Sequence, residues 1–111
     1  MLSPVRSRRY RQAGESNAGL VRSFTATWAD ADTLTLGATE AQIRKTNSDT
    51  ANLIHFQVPA LNIDITLDTY THIGIEYVSA SETARWFSTT TYSDFDFNTN
   101  FPVGSVLVES S

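Results

Sequence analysis

The chain has 111 residues, two histidines, no cysteine and a net charge of −4. That length suits one domain with a self-sufficient core, and the lack of cysteine excludes disulfides and thiolate metal sites. The charge is divided: residues 1–22 hold five arginines against one glutamate, +4, and residues 23–111 hold three bases against eleven acids, −8.

Residues 1–22 read as a basic extended arm, without apolar periodicity and with Gly14 and Gly19 disfavouring helix. Arg6, Arg8, Arg9, Tyr10 and Arg11 are its candidate assembly residues. The Arg- and Ser-rich opening shares the composition of a mitochondrial transit peptide, but Pro4 and the lack of an amphipathic stripe argue against that. No apolar stretch follows as in a secretory signal, and no run reaches the roughly 18 apolar residues of a membrane helix.

From Ser23 to Ser111 the composition is that of strands, rich in Thr, β-branched and aromatic residues. Phe24, Ala26 and Trp28 alternate with threonines, predicting a half-buried strand that Asp30-Ala-Asp32 turns back. Leu34 and Leu36 repeat the pattern up to Gly37. Residues 40–46 are too short for an independent helix and precede a turn cluster, so they read as strand. Residues 52–58 place Ile54, Phe56 and Val58 inward, and Pro59 closes the run. Residues 61–67 predict Leu61, Ile63, Ile65 and Leu67 on one face and Asn62, Asp64 and Thr66 on the other. Strands follow over 71–77 and 84–88, joined by a hairpin loop at 79–82. A short strand carries Phe95 and Phe97 into the core, and a last one spans 103–108. The expected fold is all-β, an antiparallel β-sandwich or flattened barrel of about eight short strands over 23–111, with the arm extended from it.

Chemical motifs are sparse. Asp94-Phe-Asp-Phe-Asn opens like a calcium loop, but Thr99 replaces the required glycine and Ser105 the bidentate glutamate, so the acids are expected in water. His55 and His72 fall on polar strand phases, two nitrogens short of a zinc set. No G-x-S-x-G elbow and no phosphate-binding glycine loop occurs. The sequence therefore predicts no enzyme, no cofactor and no metal. Trp28, Trp86, Tyr70, Tyr77 and Tyr92 offer a stacking platform for sugar or bases, or else core and edge packing. The two indoles decide: both buried favours a scaffold, both coplanar in an exposed groove favours ligand binding. The arm has three readings: a solubility tail, a contact to nucleic-acid phosphates, or a strap on a neighbouring acidic body. The −8 body favours the strap.

Residues 38–50 (ATEAQIRKTNSDT), 71–77 (THIGIEY) and 101–108 (FPVGSVLV) resemble a β-rich module of tailed-phage virion structural proteins, tail-fibre-like or related. The shared features are an intermediate strand ending in an aromatic before a turn, here Tyr77, and Pro102-Val-Gly104 before a late strand. In such proteins more chain usually follows the equivalent of Val108–Ser111, a departure that points away from a receptor-binding tip. The resemblance implies a short virion component without active site or cofactor: a capsid decoration, neck or fibre-anchoring protein. Its partners would be other virion proteins and copies of itself, as a trimer or larger ring, with nucleic acid a lesser candidate for the arm and no membrane. The alternative is a small carbohydrate- or single-stranded-nucleic-acid-binding β module.

Overall fold

The computed structural model describes residues 17–110. They form nine strands: β1 (Gly19–Leu20), β2 (Ala26–Trp28), β3 (Thr33–Leu36), β4 (Thr39–Ile43), β5 (Ile54–Val58), β6 (Leu61–Asp64), β7 (Thr71–Val78), β8 (Thr83–Thr89) and β9 (Asn100–Val106). One 3-10 turn, Tyr92–Asp94, precedes β9. The strands make three antiparallel sheets of three, ordered β1-β4-β5, β2-β3-β6 and β8-β7-β9. The β8 edge sits against β5 and the β9 edge against β1, so the sheets close on one another in the manner of an antiparallel sandwich. Gly19 and Leu20, inside the segment read as arm, form β1, and Val21 N–H donates to the Glu40 carbonyl.

The period-2 pattern acts as expected along most strands. Ile63 and Ile65 are buried and Asp64 is exposed. Residues 40–46 are extended as far as Ile43, with Ala41 and Ile43 fully buried in alternation. Ile54, Phe56 and Val58 face inward, with Val58 at 1 % exposure. The core gathers Leu34, Leu36, Ala41, Ile43, Val58, Ile63, Ile65, Ile73, Ile75, Ala84, Trp86 and Phe101. Trp86 is its largest member: its indole N–H donates to the Gly37 carbonyl at 3.0 Å and its ring meets Phe24 edge-on at 4.9 Å. Both ends of that amphipathic ring are therefore satisfied. On β7, Gly74 lies where any Cβ would collide with the Phe95 ring and the Phe101 carbonyl, so the close approach requires glycine.

Two expectations about apolar side chains are corrected. Leu61 and Leu67 are exposed, at 42 % and 46 %. Leu61 pairs with Leu36 and keeps the right phase, but at the start of an outer strand its side chain is only partly covered. Leu67 lies past the end of β6, where a turn into positive φ at Asp68 breaks the alternation. Phe95 and Phe97 form no strand: Phe95 is buried, but Phe97 is half exposed with a φ of 67°. Of the two core-or-edge alternatives for Trp28 the edge is found: it is half exposed on the outer strand β2.

Candidate interaction surface

The β2-β3-β6 sheet has two different faces. Trp28 pairs with Leu34 and Leu34 with Ile63; Ala26 pairs with Leu36 and Leu36 with Leu61. Directly paired residues share a face, and so do residues two apart. Trp28 and Ala26 therefore lie on the same face as the buried Leu34, Leu36 and Ile63. They are exposed because β2 is an edge strand and nothing among the described residues covers that rim. The opposite face is wet, with Thr33 donating to Asp64 and Thr35 to Asn62. Between the uncovered rim and β9 runs an apolar groove of about 140 Å³, lined by Phe24, Ala26, Leu34, Val103 and Val106 among others.

Carboxylates gather at the end of this sheet. The β2–β3 turn carries Asp30 and Asp32; the Asp32 carbonyl accepts the Ile65 N–H at 2.8 Å, and Thr33 reaches Asp64. Asp68 N–H donates to the Val108 carbonyl, and Ser110 donates to the Asp68 carboxylate through both backbone N–H and hydroxyl, which brings Glu109 close. The Asp32 N–H, followed by the Thr33 hydroxyl, holds the Asp30 carboxyl below its ordinary range. Ser110 does the same for Asp68 through its N–H and then its hydroxyl. Both are anionic at neutral pH.

The described bases are engaged elsewhere. Arg22 bonds Glu40 at 2.8 Å, Lys45 lies 3.4 Å from Glu82 and Arg85 bonds Glu76 at 2.7 Å. Glu40 also meets His55 at 2.7 Å; the Arg22 hydrogen bond, then that of His55, holds its carboxyl below the usual range. Among the described residues no ion pair reaches Asp30, Asp32, Asp64, Asp68 or Glu109.

At the other end of β7 the loops are closed on themselves. Arg44, 6 % exposed, donates from Nε to the Ala51 carbonyl and from Nη1 to Asn98 Oδ1 at 2.9 Å. Asn98, itself buried, returns its Nδ2 to Asn47 and Asp49. Asp96 turns inward and accepts the N–H groups of Asn98, Thr99 and Asn100 as well as the Thr99 hydroxyl. Burial alone would raise its pKa, but these hydrogen bonds, the Thr99 hydroxyl foremost, outweigh it and hold the carboxyl below the usual range. The segment that began like a calcium loop is thus an Asx turn whose carboxylate serves its own backbone. The expectation that its acids stand in water fails for Asp96. Neither Arg44 nor Asn98 was singled out from sequence; the spacing of Asp96 and Asn98 is a turn signal, but nothing local marks Arg44 as buried.

His72 Nδ1 lies 2.7 Å from Ser105 Oγ across the β7–β9 pair, and its ring meets Tyr92 edge-on. Among the described residues no carboxylate orients this imidazole, so the pair lacks the third member that activates a hydroxyl nucleophile. The described residues contain no group of three His, Cys, Asp or Glu suited to a metal ion. The aromatics do not form one platform: Trp86 is 1 % exposed and Trp28 51 %, and the exposed Tyr92 and Phe97 rings are inclined at 61°. Arg6, Arg8, Arg9, Tyr10 and Arg11 lie outside the described residues. Comparison with protein-family models, characterised proteins and solved structures found no match to this chain.

Proposed function

We propose that this chain is a structural component of a tailed-phage or viral particle, a capsid decoration, neck or fibre-anchoring protein that assembles through its β domain and its basic arm. The carrying observation is the uncovered apolar rim of the β2-β3-β6 sheet. Trp28 and Ala26 stand exposed on a face whose next strand, with Leu34 and Leu36, is core. A sheet edge with large apolar residues and unpaired backbone is a template for association. The resemblance of residues 38–50, 71–77 and 101–108 to virion modules supplies the particle context, and the partners are copies of the chain and other virion proteins.

A binding module for carbohydrate or single-stranded nucleic acid is the second reading, favoured by the exposure of Trp28, Tyr92 and Phe97. Stacking sites set rings parallel to successive bases or sugars, and the inclined Tyr92 and Phe97 suit that poorly. Sedimentation of the full chain across a wide concentration range separates the two. A trimer or larger closed ring is expected. A monomer at the highest concentration, with binding to a glycan panel or an oligonucleotide, would favour the second reading.

A further inference from the structure

We infer that Tyr10 docks on its own chain, in the apolar hollow between β1 and β9, and so pins the root of the arm to the body from which residues 1–9 then project. The inference goes beyond the assembly reading and does not depend on it. The hollow holds about 280 Å³; Ala18, Gly19 and Leu20 wall one side and Phe97, Pro102 and Val103 the other, among others. Leu20 is 36 % and Phe97 51 % exposed, so large apolar side chains line this hollow while still open to water.

Two local features shape this seat for a ring. Phe97 sits at a φ of 67°, a region that bulky residues rarely enter, and the Asp96 carboxylate fixes the turn by accepting the N–H groups of Asn98, Thr99 and Asn100. The turn accepts backbone strain and leaves an aromatic ring at the surface. Across the hollow, Gly19 is bare: a Cβ at this position would meet nothing within 4 Å. A strand glycine with an open side, beside exposed apolar residues, is a place where an aromatic ring from an adjoining segment packs well.

Chain connectivity selects the occupant. Asn17 is the first described residue, and Gln42 Nε2 holds its carbonyl at 3.0 Å. The next residue, Ala18, already belongs to the wall, so the arm starts at the edge of the hollow. Of the arm's large apolar residues, Met1, Leu2, Val5 and Tyr10, Tyr10 is the nearest along the chain and the only aromatic. A reversal centred on Gly14 sets Tyr10 level with Ala18, and Gly14-Glu15-Ser16-Asn17 is turn composition. The chain from Tyr10 to Asn17 spans at most about 25 Å, so the ring stays near the hollow. This short tether also decides between copies. It holds Tyr10 at an effective concentration on the order of millimolar, above that of a second copy in ordinary solution.

The test is isotope-filtered NMR of the full chain, with limited proteolysis beside it. Uniformly labelled chain should show contacts from the Tyr10 ring protons to the methyl groups of Leu20 or Val103, unchanged on dilution. A one-to-one mixture of labelled and unlabelled chain should show no such contact between copies. Cleavage after Glu15 by a glutamyl endopeptidase, at a bond lying between Tyr10 and the body, should be slow in the native chain. Tyr10→Ser should speed it about tenfold, as the loss of a local protective contact does, and Leu2→Ser should leave it unchanged. Contacts found only between copies overturn the inference and leave the assembly reading standing. An absence of Tyr10 contacts overturns it, and so does cleavage after Glu15 that ignores Tyr10→Ser. A chain that sediments as a monomer yet keeps the Tyr10 contacts sinks the assembly reading and upholds this one.

Discussion

The two ends of β7 solve the problem of polar groups in opposite ways. Beyond its C-terminal end, Tyr77 N–H bonds the Thr99 carbonyl, and the adjoining loops turn their polar side chains inward around Arg44, Asn98 and Asp96. Beyond its N-terminal end, Asp68 ties down the last residues through Val108 and Ser110, but the carboxylates there face water together. The first end spends its hydrogen bonds on itself. The second leaves like charges side by side, a mildly unfavourable arrangement that persists only if something outside the domain answers it or if its cost is small. Rigidity belongs to one end and unmet valence to the other, and the contrast gives measurable consequences.

The largest effect is expected at the closed end. Arg44→Met removes the guanidinium but retains an apolar stem, leaving the Ala51 carbonyl and Asn98 Oδ1 without their donor. At 1–3 kcal/mol per buried group left unpaired, unfolding free energy should fall by about 3 kcal/mol. A loss near zero in denaturant titration would mean that the network is decoration. A smaller effect of defined sign is expected from Asp96. Its folded pKa lies below its ordinary value of about 3.8, so it contributes stability that is fully present above that value and is lost as pH falls through the lower, folded-state pKa. Asp96→Asn should flatten the acid limb of a stability–pH profile; an unchanged limb would show that other carboxylates govern it. The smallest effect is expected at the open end. Asp30→Asn with Asp32→Asn should move the stability of the isolated domain by no more than about 0.5 kcal/mol. A large loss would make these acids part of the fold and erase the contrast.

Much of the fold was legible because alternation is a local property. The strand over Thr71–Val78, the hairpin loop before β8 and the inward set Ala41, Ile43, Ile63 and Ile65 all follow from period 2. Alternation fixes phase within one strand but not what covers it: Trp28 shares a face with Leu34 and Ile63 yet stands exposed. Whether a face is covered depends on which strand lies at the rim, and that is decided by pairings between distant segments. The same gap hid the division into three sheets and the pairing of Gly19–Leu20 with β4. Phe97 misled because an Asx turn at Asp96 overrode the alternation. Of the candidate surface, the charge asymmetry was visible at once in composition. The groove was not, since its lining comes from four separate strands or approaches.

The β9 strand carries Pro102 opposite Gly74, next to a register shift at Ile73/Gly74. Proline offers no N–H, and an irregular ladder twists a strand out of line with any newcomer. The β8 flank is occupied by β5. The rim of β9 is thus a poor template for an added strand, whereas β2, with no proline and no register shift, carries no such block on its outer side.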